Sequence, residues 1–233
     1  YEAEKASYPD PFQFEKENPT DEILALAPSQ EACYFDIPKL TALMENAKEG
    51  WQFKGYVVGR RYAAWIDPAG MGEDNHSLQI LDCQTGEYVI DYTTMEHPEI
   101  FALGACKFGK DYQFPLLGIE NNGVGLAMVL ALIGLGYPKH KLVYQDKEMM
   151  KPGVVMSGGF RDRILVDFAM GIRQGSLIPY SRAALKEMFS FIKSPKGKPE
   201  AASGAQDNRV MAMAGASWVA GQLPPSPLGS QPA

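Results

Sequence analysis

Three short runs in the middle of the chain, Tyr62–Ile66, Ser77–Leu81 and Tyr88–Tyr92, are rich in β-branched, aromatic and aliphatic residues and are bounded by Gly, Asp and Asn turns. This is a strand signal, and Phe53–Arg60 reads as a further strand ahead of them. DCQTGEY makes a tight hairpin between the last two runs, which predicts an antiparallel meander. Pro98 to about Phe108 reads as a helix. Leu116, Leu117 and Ile119 form a short apolar run that stops at the turn residues Glu120-Asn121-Asn122-Gly123. From Val124 to Leu135 the residues are almost all apolar or small, predicting a helix buried against a sheet rather than an amphipathic one, with a parallel crossover. Lys141–Tyr144 reads as a fifth, short strand, and Met150–Phe160 as loop or hairpin. Helices are predicted over Asp162–Gln174, closed by Gly175, over Ser181–Ile192 with Ser181 as N-cap, and over Asp207–Val219. Residues 1–50 form a Pro- and Glu-rich arm with a short helix near Asp21–Leu26 and a docking helix from Ile37 to Gly50. Residues 51–220 make the main domain, and residues 221–233 a disordered-looking tail.

Meander, helix, strand, helix, strand, helix is the element order of an α/β, ribonuclease H-like mixed sheet flanked by helices. At 233 residues and 45% apolar the chain can bury a substantial core, and no uninterrupted apolar run reaches the roughly 18–20 residues that span a bilayer. The chain opens at Tyr1 without an export signal, as a piece of a longer polypeptide would. Cys33, Cys83 and Cys106 are odd in number and far apart, which argues against zinc and for a reducing cytoplasm. His76, His97 and His140 are scattered and read as surface residues. Charge is uneven: residues 1–60 hold 6 basic and 11 acidic side chains, residues 61–138 hold 3 and 10, and residues 139–233 hold 13 and 7. A basic final third can face a polyanion while the middle third concentrates carboxylates, although an ordinary solvated charge pattern gives the same counts.

Three acidic motifs carry the chemistry. Asp67 ends a strand in YAAWIDPAGMGEDN, Glu120 lies at the carboxyl end of an interior strand, where open α/β sheets keep their ligands, and Asp207 opens the last helix in GAQDNRVMAMAGA. Each has a purely structural alternative: Asp-Pro is a turn dipeptide, a Glu can solvate a strand end, and an acid in a first helical turn caps and complements the dipole. Together, carboxylates without His or Cys suit Mg²⁺ or Mn²⁺, and two such ions about 4 Å apart can drive phosphodiester hydrolysis.

WIDPAGMGEDN, GIENNGVG and GAQDNRVMAMA, in this order and separation, resemble the nuclease domain of the large terminase subunit of tailed double-stranded DNA bacteriophages. GFRDRILVDFAMGIRQGSLIPYSRAALKEMFSFI resembles that family's two helices with a short strand between them, SPKGKPEAASGAQDN its hairpin before the last motif, and EACYFDIPKL the junction that follows its ATPase domain. The similarity covers about residues 30–220. It implies a divalent-metal-dependent endonuclease that cuts concatemeric viral DNA during genome packaging in the host cell cytoplasm. Its metal-binding catalytic residues would be Asp67, Glu120 and Asp207, with Asp74 a fourth candidate ligand and two Mg²⁺ or Mn²⁺ ions. The second position of the last motif, often Asp in that family, is Asn208 here, which changes metal affinity rather than abolishing it. Implied partners are double-stranded DNA, the terminase's own ATPase domain, the portal protein and the small terminase subunit. Since the chain has no G-x-x-x-x-G-K-[ST] phosphate loop, that ATPase would lie elsewhere. DNA contacts are expected in the basic third, at Lys139, Lys141, Lys147, Arg161, Arg163, Lys193, Lys196 and Lys198. The competing readings are a junction resolvase or transposase with the same three acids, a non-catalytic DNA- or capsid-docking module, and an actin-like sugar or acetate kinase using the DPAG turn.

Overall fold

A computed structural model describes residues 32–70, 74–121, 123–145 and 151–224; the expected helix at Asp21–Leu26, Lys147 and the tail beyond residue 224 lie outside them. Strands β1 (Tyr62–Asp67), β2 (His76–Asp82) and β3 (Glu87–Thr94) form the antiparallel meander. Strand β4 (Leu116–Ile119) pairs parallel with β1, and β5 (Ile178–Pro179) pairs parallel with β3. The sheet order is therefore β4-β1-β2-β3-β5. Strand β1 lies between β4 and β2, and the centre of the sheet is β2.

Helices cover both faces, and strand alternation decides which residues meet which layer. Ala64, Ile66, Leu117 and Ile119 point to one side, against α2 (Pro98–Asp111) and α3 (Val124–Gly134). Ala63, Trp65, Leu81 and Tyr88 point to the other. There they meet α1 (Ile37–Met44), α4 (Gly158–Gln174), α5 (Arg182–Phe189) and α6 (Asn208–Ala220). A second small sheet, β6 (Phe191–Lys193) with β7 (Pro199–Ala201), leads into α6.

Several expectations change. Phe53–Arg60 is not a strand; only Gln52 makes an isolated bridge, to Ile90. Its run contains Gly55 and Gly59 and leaves Val57 and Val58 exposed, so it has no second face to bury. Lys139–Lys141 form a 3-10 turn, and Leu142 makes a single parallel bridge with Leu117. Helix α3 is not buried all round: Gly125, Met128, Val129 and Leu132 face the core while Leu126 and Leu130 are exposed. Cys33, Phe35, Ile37 and Leu40 are buried in the main core, so packing carries across residue 50 without a break. His76 is buried rather than on the surface. The three cysteines are free, and among the described residues no helix is long and apolar enough to cross a membrane.

The closest layer contact is made around Trp65. A Cβ on Gly215 of α6 would lie 2.2 Å from the Trp65 ring, and one on Gly118 of β4 would lie 2.3 Å from it. The indole is fully buried, with α6 directly against β1. Gly215→Ala is expected to cost about 1–3 kcal/mol through overpacking, read as a lowered thermal melting midpoint. Gly134→Ala, where an added Cβ meets nothing within 4 Å, is the control and should leave the midpoint unchanged or slightly raised.

Candidate active site

Asp67 and Glu120 are neighbours because β1 and β4 are parallel and in register: Ile66 pairs with Ile119, and the Glu120 amide donates to the Ile66 carbonyl at 3.2 Å. Alternation from Trp65 and Gly118 directs both carboxylates to the α6 face of the sheet. The turn after Glu120 is tight, since a Cβ on Gly125 would lie 1.8 Å from the Glu120 carbonyl oxygen. Asn121 is held by the segment 152–154, its N–H donating to the Val154 carbonyl at 2.9 Å and its Nδ2 to that of Pro152 at 2.9 Å. Asp207 precedes the first turn of α6, which crosses the same face.

These acids act on one another. Burial first, then the charges of Glu120 and Asp207, a side-chain hydrogen bond with Glu120 and the charge of Asp74 push the Asp67 carboxyl well above the usual carboxylate range. Asp67 is 8% exposed. The structure thus gathers Asp67, Glu120, Asp207 and Asp74 within electrostatic reach. Among the described residues, however, no three His, Cys, Asp or Glu side chains stand together as a group that could hold a metal ion. Asp207 has a cationic partner of its own: its Oδ2 accepts from Arg161 at 2.9 Å, and the same guanidinium donates to the Pro199 carbonyl at 2.6 Å. Ala69 and Asn75, on either side of Asp74 in sequence, are each held by a hydrogen bond. Ala69 N–H donates to His76 Nδ1 at 2.9 Å, and Asn75 Nδ2 donates to Gln206 Oε1, next to Asp207, at 2.6 Å. Burial lowers the His76 pKa, in keeping with a neutral ring that accepts at Nδ1.

The basic residues separate into groups. Arg161 is in the acid site itself, paired with Asp207 rather than free for a phosphate. Arg163 is exposed beside the Phe160 ring. Lys193, Lys196 and Lys198 are exposed on the β6–β7 hairpin, whose Pro199 carbonyl contacts Arg161. Lys139 and Lys141 precede Leu142, which bridges to Leu117, so they flank the amino end of β4, roughly 13 Å of strand from Glu120.

One network escaped the sequence reading. Arg209 Nε pairs with Asp91 at 3.1 Å and its Nη1 with Glu187 at 2.6 Å. Asp91 also accepts from Gln79 at 2.8 Å, Thr93 at 2.6 Å and Ser181 at 2.5 Å. Asp91 and Glu187 are buried, and burial, opposed by Arg209, pushes the Glu187 carboxyl up to about 7. The only sequence signal was a set of polar residues, Ser77, Gln79, Asp91 and Thr93, in strands whose every position is buried or nearly so.

The fold is a ribonuclease H-like mixed sheet flanked by helices, of the kind found in large terminase nucleases. The large terminase nuclease of thermophilic phage G20c matches with a TM-score of 0.60 at 16% identity, over 77% of this chain and 97% of that one. A structure of the same nuclease with bound magnesium matches at 0.59 and 18%, over 76% and 95%. The large terminase nuclease domain of Thermus phage P74-26 matches at 0.57 and 17%, over 76% and 93%. At such identities the likeness is one of fold. No protein-family profile and no curated sequence matches the chain.

The raised Asp67 pKa has a consequence for stability. Because the folded value lies above the unfolded one, the contribution of this group is fully present below the ordinary Asp range and is lost as pH rises through the raised value. In chelator, Asp67→Asn is expected to raise the melting midpoint at pH 7.5 by about 2–4 °C, the shift about 1 kcal/mol gives in a domain of this size. The gain should shrink as the pH is lowered toward 4.

Proposed function

We propose that the chain is a divalent-metal-dependent DNA endonuclease, the nuclease domain of a phage large terminase that cuts concatemeric double-stranded DNA during genome packaging. The observation that supports this reading is the placing of Asp67 beside Glu120 on the α6 face of a ribonuclease H-like sheet, with Asp207, far away in sequence, near enough for its charge to act on Asp67. A carboxyl raised first by burial and then by three neighbouring acids is in a site short of positive charge, and an all-oxygen donor set fits Mg²⁺ or Mn²⁺. The bound magnesium of the G20c nuclease agrees with that choice. A non-catalytic docking module would have no use for such mutual repulsion.

Asp67, Glu120 and Asp207 would hold two ions, with Asp74 at the margin. Bound ions of this kind supply activation of water and stabilisation of the leaving oxygen in phosphodiester hydrolysis. The protein's own groups do the positioning. The register of β1 and β4 fixes Asp67 beside Glu120, and α6 sets Asp207. Arg161 holds the Asp207 carboxylate and neutralises part of its charge. The exposed lysines of the β6–β7 hairpin would meet the DNA backbone, giving weak, steeply salt-dependent binding with little sequence preference. The ATPase domain, portal protein and small subunit of the same packaging machine are the proposed partners.

Plasmid cleavage tests the reading: nicking and cutting in Mn²⁺ or Mg²⁺, abolished by chelator. Folded protein with no metal-dependent cutting at high concentration would sink it. Asp67→Asn should be the most damaging single change, lowering the rate by about 100-fold or more, because Asp67 borders both other acids. Asp207→Asn should be milder at high Mn²⁺, since its neighbour Asn208 is already neutral; a Mn²⁺ titration of the cleavage rates ranks them.

Charge reversal at Lys193, Lys196 and Lys198 is expected to weaken DNA binding by about tenfold or more and to flatten its salt dependence. A filter-binding series from 50 to about 200 mM salt measures both, and unchanged binding would place the DNA elsewhere.

A further inference from the structure

Helices α1, α4 and α5 each begin with a side chain that caps its own first turn. Asp36 accepts from Lys39 N–H, Ser157 from Phe160 N–H and Ser181 from Ala184 N–H. Helix α6 departs from this pattern. Its N-cap residue, Asp207, is among the strongest capping types, yet its side chain makes no capping hydrogen bond. Of the two amides that an N-cap side chain can serve, that of Val210 is the counterpart of those capped in α1, α4 and α5, while that of Arg209 donates to Glu187 Oε2 at 2.8 Å. Glu187 comes from the neighbouring helix α5, and its other oxygen receives Arg209 Nη1 at 2.6 Å. The Arg209 side chain continues to Asp91 of β3, so the first turn of α6 is fixed from outside itself.

We infer that Glu187 is a positioning residue that caps α6 in place of Asp207 and so leaves the Asp207 carboxylate free to serve the acid site. This rests on the proposed function only for the use to which Asp207 is put. The physical step is a competition. One carboxylate cannot turn inward to satisfy the orphan amides of its own helix and outward toward Asp67 at once. With the Arg209 amide already satisfied by Glu187, the inward rotamer has only the Val210 amide left to serve. The outward one gains the Arg161 hydrogen bond seen here and the contact with a cation when one is present. Asp91 and the hydroxyls of Ser181 and Thr93 keep the Arg209 and Glu187 pair from pulling apart, which is why a polar cluster occupies a buried face of the sheet.

Two substitutions separate reach from charge. Glu187→Gln keeps an acceptor at the same distance for the Arg209 amide and loses the charge, whereas Glu187→Asp keeps the charge and falls one methylene short. Mn²⁺ binding to the full chain, followed without DNA by electron paramagnetic resonance or calorimetry, should weaken by about fivefold or more in Glu187→Asp and stay within about twofold in Glu187→Gln, both variants being checked for folding by thermal melting. Parental affinity in Glu187→Asp, or an equal loss in both, would overturn the inference. If the parental chain binds no Mn²⁺, the nuclease reading fails, while the capping assignment is still decided by a metal-free measurement. Asp207→Ala made in an Arg161→Ala background, where the ion pair with Arg161 is already gone, should melt in chelator at or above the midpoint of Arg161→Ala alone, because no cap is lost and repulsion at Asp67 is relieved. A fall of more than about 3 °C relative to that background, the cost expected of a deleted N-cap in a domain of this size, would mean that Asp207 caps its own helix and would overturn the assignment even where a Glu187 variant fails to fold.

Discussion

The architecture depends on how closely α6 can approach the sheet at Trp65. Two glycines, Gly118 and Gly215, leave the volume that the indole fills, and Gly118 and Trp65 are paired across the parallel β1–β4 ladder. Any side chain at either glycine would lift the helix or tilt the strand. Three elements are thereby locked together at one place: β1, which ends in Asp67; β4, which leads to Glu120; and α6, which follows Asp207. The acids lie at the ends of these elements, and their mutual distances are set by a steric fit buried behind them. The core tolerates the repulsion among the carboxylates because that fit, and not attraction at the site, holds the elements in place.

The α6 face of the sheet is divided along its length. Trp65, Leu81 and Tyr88 form the apolar half, and Ser77, Gln79, Asp91 and Thr93 the polar half beneath the first turn of α6. Buried polar groups are tolerated when each finds a partner, and here Arg209, Glu187 and Ser181 complete most of the set. Such a network is directional in a way that an apolar core is not. It specifies the rotation of the first turn of α6, where a small error would carry Asp207 away from Asp67. The same residues that would be costly in an ordinary core therefore do the aligning at this end of the sheet.

The strands and helices that pack with a regular period could be read from sequence: β1, β2 and β3 from their β-branched and aromatic residues, α5 from its Ser181 cap, and the α4 stop from Gly175. Phe53–Arg60 misled because local apolarity has no information about whether a second layer exists to cover it. The exposure of Leu126 and Leu130 on α3 was hidden for the opposite reason: a helix apolar on every side offers no pattern to say which face is outward. Asp67, Glu120 and Asp207 were legible as motifs, each at an element boundary. Arg209, Asp91 and Glu187 were not, since nothing local in a strand Asp or a helix Glu announces a partner about 20 or 120 positions away; such pairs exist only through long-range contact. The pairing of Arg161 with Asp207 was equally invisible, and it turns a residue that sequence alone would assign to the DNA surface into part of the site's own charge balance.

The parallel pairing of β1 with β4, together with the late position of α6, has a consequence for when the acid cluster comes into being. Asp67 and Asp207 are 140 positions apart in the chain, and the segment between them contains most of the sheet and helices α2 to α5. Closing so long a loop is entropically late, so a chain emerging from the ribosome or stalled as a partial fold carries the separate acids without the assembled cluster. Carboxylates scattered in this way have no more hold on a cation than any acidic surface. The geometry of the cluster is thus completed only when α6 has docked, and the topology makes that arrangement a property of the finished fold alone.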